Sequence, residues 1–362
     1  MNMQKWKNEI INNPVKKAMP FLLLPCIQKT GINVNQLLSD STLLAKGMKI
    51  ISDNTDILVS LGLMDLSVEA ELFGSQIHTS HDEVPTVTGR IIHTKEDAHN
   101  LKVPAAAQGR ALLYINAIRQ AVSTIHKPVF AGAIGPFSLA GRLMDMSEIM
   151  INCYDEPQMV HETLERTTEF IIDYILEFKK AGANGIFICE PAAGLLSPDL
   201  NEEFSSLYIK KIIKAVKDEN FFFMYHNCGP NIQVLLPVLA ELDADAYHFG
   251  DVVNMKKILE GMPADVIVSG NISPSKQFCS GTKDSMYAAV TELLNECSVH
   301  DNFILSSGCD VPPMTPWANI DSFFKAASDF YKVKMPEQEL PHKHREYRRK
   351  FHSSRKTVQQ CR

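Results

Sequence analysis

The stretch "FFFMYHNCGPN", residues 221–231, decides the fold. Five apolar or aromatic residues run into His226, Asn227 and Cys228 and stop at a Gly-Pro turn. A short, nearly continuous apolar run of this kind suits a parallel strand covered on both faces. Seven more such runs punctuate the chain: "MPFLLLPC" (19–26), "DILVSLG" (56–62), "PVFAGAIG" (128–135), "GIFICEP" (185–191), "DAYHFGD" (245–251), "DVIVSGN" (265–271) and "NFILSSGC" (302–309).

Helical patterns lie between these runs. "DEPQMVHETLERTTEFIIDYILEFKKAGA" places Val160, Leu164, Ile171, Tyr174, Ile175 and Phe178 mostly three, four or seven apart, and closes with Lys179, Lys180 and Gly182. That spacing predicts an amphipathic helix with a basic last turn and a glycine stop. "SPDLNEEFSSLYIKKIIKAVKD" reads the same way, with Ser197 as N-cap and Pro198 at the first helical position. Eight strands alternating with helices predict a (β/α)8 TIM barrel over residues 1–340, with a doubly wound open sheet as the alternative. Residues 65–110 are long for a βα link and are expected to form an inserted segment after the second strand.

The 362 residues are 45% hydrophobic and 22% charged, which fits a globular chain and excludes a disordered one. No apolar run approaches the roughly 20 residues of a membrane span, and the N-terminus lacks the apolar core of a secretory signal. A cytoplasmic location is expected. The net charge of −6 is uneven: residues 341–362 hold eight Lys/Arg against one acid, +7, leaving −13 on the rest. Such a tail is expected to be a flexible, solvated extension, and nothing else is basic enough for a nucleic-acid groove.

Eight cysteines, at 26, 153, 189, 228, 279, 297, 309 and 361, are too dispersed for a disulfide scaffold, so reduced thiols are expected. Catalytic groups of a barrel sit at the C-terminal ends of its strands. His226 and Cys228 end one strand and Cys309 another; Glu190, Asp251 and Asn271 end three more. Residues two apart on a strand share a side, so His226 and Cys228 can both face the mouth. They read either as buried side chains finishing a strand or as half of a metal site, for which Cys309 is the natural third ligand in a Cys2His zinc set.

Glu190 reads as a displaceable fourth ligand, as a base behind the ligands, or as a cap in the turn "EPAAG". Asp251 and Asn271 read as substrate-orienting groups or as strand-end hydrogen-bonders. Phe137, Met144 and Met146, around "GPFSLAGRLMDMS", offer an apolar rim for a corrin face or core packing. Glu69 and Glu71 read as an exposed acidic turn.

"YHNCG", "GANGIFICEPAAGLLSPDLNEEF", "VIVSGNISP" and "FILSSGCDVPPMTPWANI" resemble the uroporphyrinogen decarboxylase superfamily. "GLMDLSVEAELFGSQI", "DEVPTVTG" and "GPFSLA" are especially similar to its methylcobamide:coenzyme M methyltransferase branch, over roughly residues 15–332. The resemblance implies a (β/α)8 barrel and a zinc held by His226, Cys228 and Cys309. It also implies methyl transfer from a methylated corrinoid, the methylcobamide co-substrate carried by a corrinoid protein, to a small thiol such as coenzyme M. Zinc suits that chemistry because a free thiol near pKa 8.5 is largely protonated at neutral pH, whereas a metal-bound thiol is deprotonated. A homo-oligomer is one assembly the resemblance admits.

The superfamily's decarboxylase meets a substrate of eight carboxylates with an Arg-Gln-Ala-Gly-Arg stretch after the first strand. Here the stretch is "CIQKTG", with Ile27 and Gly31 at the arginine positions, and Lys29 cannot replace two bidentate guanidinium groups. Two rival readings remain: a tetrapyrrole decarboxylase without metal, and a non-catalytic corrinoid- or tetrapyrrole-binding subunit.

Overall fold

A computed structural model describes residues 1–334; the basic tail, 341–362, lies outside the described residues. Seven strands form one curled parallel sheet: β1 (Ser60–Leu61), β4 (Val129–Ile134), β5 (Gly185–Cys189), β6 (Phe222–Asn227), β7 (Ala246–Phe249), β8 (Ile267–Ile272) and β9 (Phe303–Ser307). Each pairs in register with the next, so the spatial order follows the chain order. A doubly wound sheet reverses its order partway across, and this one does not. The remaining strands, β2 (Gln76–His78) and β3 (Thr86–Thr88), make a separate antiparallel hairpin.

Side chains alternate along each strand, and the inner set changes character from bottom to top. Phe130, Phe187, Phe222, Met224, Ala246, Ile267 and Ile304 form one apolar cluster with Met19 and Phe21. Truncating one of these phenylalanines to alanine would cost about 3–5 kcal/mol through the void it leaves. Two residues further along the same strands stand Cys189, His226, His248, Ser269 and Ser306, all buried. The polar layer therefore rests on a packed apolar floor. Helix Met3–Asn12 closes the floor from below, with Trp6 edge-on to Phe130 and Phe222 at centroid distances of 6.1 and 5.5 Å. The Met3 N–H donates to the Glu219 carbonyl (2.7 Å), and Gln4 Nε2 donates to buried Asp245 (2.6 Å).

The outer layer is helical. The 24-residue helix Pro157–Lys180 buries Val160, Leu164, Ile171, Tyr174, Ile175 and Phe178, the stripe expected from its spacing. The second expected helix starts as read, with Ser197 Oγ accepting from the Leu200 N–H and Pro198 at its first position, but a wider turn at Glu202–Ser206 interrupts it before Leu207–Val216.

The run at 19–26, expected as the first strand, carries no assigned ladder. Pro20 has no N–H to give, and the Phe21 N–H donates to the Ser307 hydroxyl (3.0 Å) instead of a strand carbonyl. Three backbone bonds still tie it to its neighbours: Met19 N–H to Leu305 O (2.9 Å), Leu58 N–H to Ala18 O (2.8 Å) and Val311 N–H to Phe21 O (2.9 Å). Residues 24–26 then turn into a 3-10 segment and the short helix Ile27–Thr30. Between β1 and helix Gly109–Thr124 the chain makes helix Val68–Leu72, the β2–β3 hairpin and helix Lys95–His99. No described helix is long and apolar enough to cross a membrane.

Candidate metal centre

β6 and β9 deliver the three candidate ligands. His226 is the last inward-facing residue of β6 and is 2% exposed; Cys228 follows just past the strand end. Asn227, between them, pins the turn: its Nδ2 donates to the Glu190 carbonyl (2.6 Å) and its Oδ1 accepts from the Gly229 N–H (2.8 Å). Cys309 is presented two residues beyond the end of β9. A Cβ on Gly250 would stand 2.7 Å from the Cys228 Cβ, so only glycine lets the loop after β7 approach this closely.

One atom from each of His226, Cys228 and Cys309 lies within 4.8 Å of the others, and no other such group of His, Cys, Asp and Glu occurs among the described residues. The Cys309 Sγ is 3.9 Å from the His226 Nε2. Around a tetrahedral zinc, with bonds of roughly 2.0–2.3 Å, ligand atoms stand about 3.5–3.8 Å apart, so this set fits the ion after small rotations. The two thiols shift in opposite directions. Cys228 is held down to about 4, chiefly by the hydrogen bond from the Cys309 thiol and against the effect of burial. Cys309, as donor in a desolvated spot, is held well above the ordinary thiol range.

The other sequence-derived candidates lie elsewhere. Glu190, wholly buried after β5, accepts hydrogen bonds from the Phe137 N–H (2.8 Å) and the Ser138 N–H (2.9 Å), capping helix Pro136–Met144. Burial pushes its carboxyl up to about 7 although these bonds favour the anion. A Cβ on Gly135 would meet this carboxylate at 2.4 Å, which explains the glycine. Asn271 Nδ2 donates to the carbonyls of Gly250 (2.9 Å) and Val253 (2.8 Å), bracing the loop after β7. Asp251 is exposed in that loop. Phe137 and Met144 are sealed in the core, at 0% and 1% exposure.

Glu69 corrects the reading of an exposed acidic turn. It is 1% exposed, its Oε1 accepts from the Ile134 N–H (3.0 Å), and its Oε2 is buried without a hydrogen-bond partner. Burial raises its carboxyl to about 7. Beside it lies an ion-pair network missed by sequence reasoning: Arg110 reaches Asp65 (2.9 Å), Glu71 (2.5 Å) and Ser67 (2.6 Å), and Tyr114 donates to Asp65 (2.6 Å). Asp310, next to Cys309, is pushed up to about 8 by desolvation and by the charge of Asp65. His248 and Ser306 also went unread. Their only sequence signal is a polar residue at the inward position of an apolar strand.

A family model described as uroporphyrinogen decarboxylase (URO-D) matches residues 14–330. The methylcobamide:CoM methyltransferase MtbA of Methanosarcina acetivorans is 27% identical over 271 residues, 74% of this chain and 78% of its own. Uroporphyrinogen decarboxylase 2, chloroplastic, of Arabidopsis thaliana is 28% identical over 208 residues, 55% of this chain and 51% of its own. In fold, a methyltransferase from Methanosarcina mazei superposes with a TM-score of 0.80 at 23% identity, covering 91% of this chain and 98% of that one.

Proposed function

The chain belongs to the uroporphyrinogen decarboxylase family, and from that premise we propose that it is a methyltransferase carrying a methyl group from a methylated corrinoid to a small thiol such as coenzyme M. The convergence of His226, Cys228 and Cys309 carries the reading, and similarity to methylcobamide:CoM methyltransferases supports it. In the overall reaction a C–S bond forms as the Co–C bond breaks, and the bonding pair of that bond stays on cobalt.

These three residues would hold zinc, with a fourth position left to the acceptor. Bound zinc supplies the Lewis acidity that lets the acceptor enter as thiolate at neutral pH. The chain contributes the rest. The apolar floor beneath His226 excludes water from below, and Asn227 and Gly250 set the turn that places Cys228. Asn271, by bracing the loop after β7, fixes one wall of the mouth, and Asp251 on that loop is placed to meet the acceptor or the corrinoid protein. Glu190 caps the start of helix Pro136–Met144, and Phe137 and Met144 anchor that helix in the core. We include in the proposal closure of the sheet as an eight-membered (β/α)8 barrel through residues 18–21, an inserted segment at 65–110, and a cytoplasmic setting.

The decarboxylase reading meets a physical obstacle. Ile27 is 7% exposed, Gly31 has φ +71°, Gln28 donates to the carbonyls of Pro313 and Thr315, and Lys29 lies over the Trp317 ring at 4.1 Å. The stretch thus fastens the loop after β9 and presents no guanidinium to a polycarboxylate. The test is metal analysis of protein purified under reducing conditions, followed by demethylation of free methylcobalamin with coenzyme M. One zinc per chain and thiol-dependent loss of the methyl-cobalt spectrum are expected. Metal-free protein with no methyl transfer, even after zinc is supplied, would refute the reading.

A further inference from the structure

Behind His226 stands a second histidine that the proposed chemistry does not use. His248, on β7, is in register with His226 and 0% exposed. The two Nδ1 atoms are 2.8 Å apart. On the far side of the ring, His248 Nε2 is 2.9 Å from Ser306 Oγ, and that Oγ is 2.7 Å from the Met19 carbonyl oxygen.

These contacts fix the protons. A carbonyl has none to give, so the single hydroxyl proton of Ser306 goes to Met19. The Ser306 oxygen is then an acceptor towards His248, whose Nε2 must carry the N–H. A neutral imidazole has one N–H, which leaves the His248 Nδ1 bare. It accepts from His226 Nδ1–H, and His226 is left with a bare Nε2, the atom that faces the Cys309 sulfur. A doubly protonated His248 would reverse the last step. Its neighbours, however, are His226, Ser306, the Ser307 backbone and the Phe21 ring, perpendicular to it at 4.6 Å, with no carboxylate to compensate a buried cation.

We propose that His248, oriented by Ser306 and the Met19 carbonyl, is a positioning residue that selects the Nδ1–H tautomer of His226 and so presents Nε2 as the metal ligand. The consequence for metal rests on the proposed ligand set; the tautomer itself needs no ion. Hydrogen bonds behind a ligating histidine commonly set its tautomer, and their loss costs about tenfold to hundredfold in metal affinity.

The experiment has two arms. In metal-free protein labelled with 15N-histidine, long-range proton–nitrogen correlation should show His226 protonated at Nδ1 and bare at Nε2, with His248 the reverse. Protonation of His226 at Nε2 would overturn the proposal. Zinc competition against a chromogenic chelator should then show about tenfold to hundredfold weaker binding for His248→Phe. His248→Gln, whose amide oxygen can still accept from His226, should bind more tightly than His248→Phe. Equal affinity of His248→Phe and the parent would also overturn it. If His248→Phe does not fold, Ser306→Ala removes one hydroxyl and should leave the His226 resonances as a mixture of tautomers; an unchanged single tautomer counts against the relay. A parent protein that binds no zinc refutes the ligand set, and the resonance assignment still judges the tautomer.

Discussion

The Cys309 Sγ stands 3.9 Å from the His226 Nε2 across 83 residues of chain. Neither residue can move far, because His226 is in the last register positions of β6 and Cys309 is only two residues past the end of β9. Cys309→Ala and His226→Ala should each lower zinc affinity by tenfold to hundredfold or more, since losses behind the ligands alone reach about that size. The far-ultraviolet dichroism should stay that of the parent, because the packed floor below is untouched. Parental zinc content and affinity in both variants would remove these residues from the ligand set.

A small thiol added to the zinc-loaded protein should release about one proton per site near neutral pH, because a metal ligand enters deprotonated. Calorimetry in two buffers of different ionisation enthalpy counts that proton. Thiol binding with no buffer dependence would contradict zinc activation of the acceptor.

Uroporphyrinogen should not be decarboxylated at a useful rate. Ile27 is buried and Gly31 has a left-handed backbone, so neither of the positions that the resemblance pairs with the decarboxylase arginines supplies a guanidinium. Product chromatography decides this, and stepwise loss of carboxylates at an enzymatic rate would restore the decarboxylase reading.

Glu69 makes stability depend on pH in a defined direction. Its carboxyl is raised from the ordinary 4.5 to about 7 by burial, so between these values the folded state binds more protons than the unfolded state. Its contribution is therefore fully present below about pH 4.5, is lost as pH rises towards 7, and is level above that. The swing is on the order of 3 kcal/mol. Glu69→Gln keeps an oxygen for the Ile134 N–H and carries no charge. Its urea midpoint should gain on the parent's as pH rises from 5 to about 7.5, and two parallel curves would show that Glu69 does not titrate in this range.

Much of this architecture was legible because inward strand positions repeat every second residue, and an apolar run long enough to be covered on both faces has few other uses. β4 to β9 of the main sheet lie within the runs read at 128–135, 185–191, 221–229, 245–251, 265–271 and 302–309, apart from Ile272 at the end of β8. The run at 19–26 looked the same, yet Pro20 and the Ser307 hydroxyl replace its ladder bonds. His226 and Cys228 could be paired by spacing alone. His248 could not, because its meaning comes from cross-strand register with His226 and from Ser306, 58 residues away. Glu69 hid for a similar reason: its partner, the Ile134 N–H, is 65 residues distant, and an acidic residue in a short polar-looking helix gives no sign of burial.

Glu190 separates two of the three roles that its sequence position left open. In the structure its carboxylate satisfies two buried N–H groups at the start of helix Pro136–Met144. A displaceable zinc ligand would have to leave that cap, exposing both donors to an apolar interior, where each unsatisfied group costs about 1–3 kcal/mol. Glu190→Ala should therefore destabilise the protein by roughly 3 kcal/mol or more, read from urea unfolding. Zinc affinity, measured by chelator competition well below the unfolding midpoint, should change little. Glu190→Gln retains one acceptor oxygen and should recover part of the lost stability. If Glu190→Ala instead keeps its unfolding midpoint and loses zinc affinity tenfold or more, the carboxylate serves the metal and the capping role is secondary.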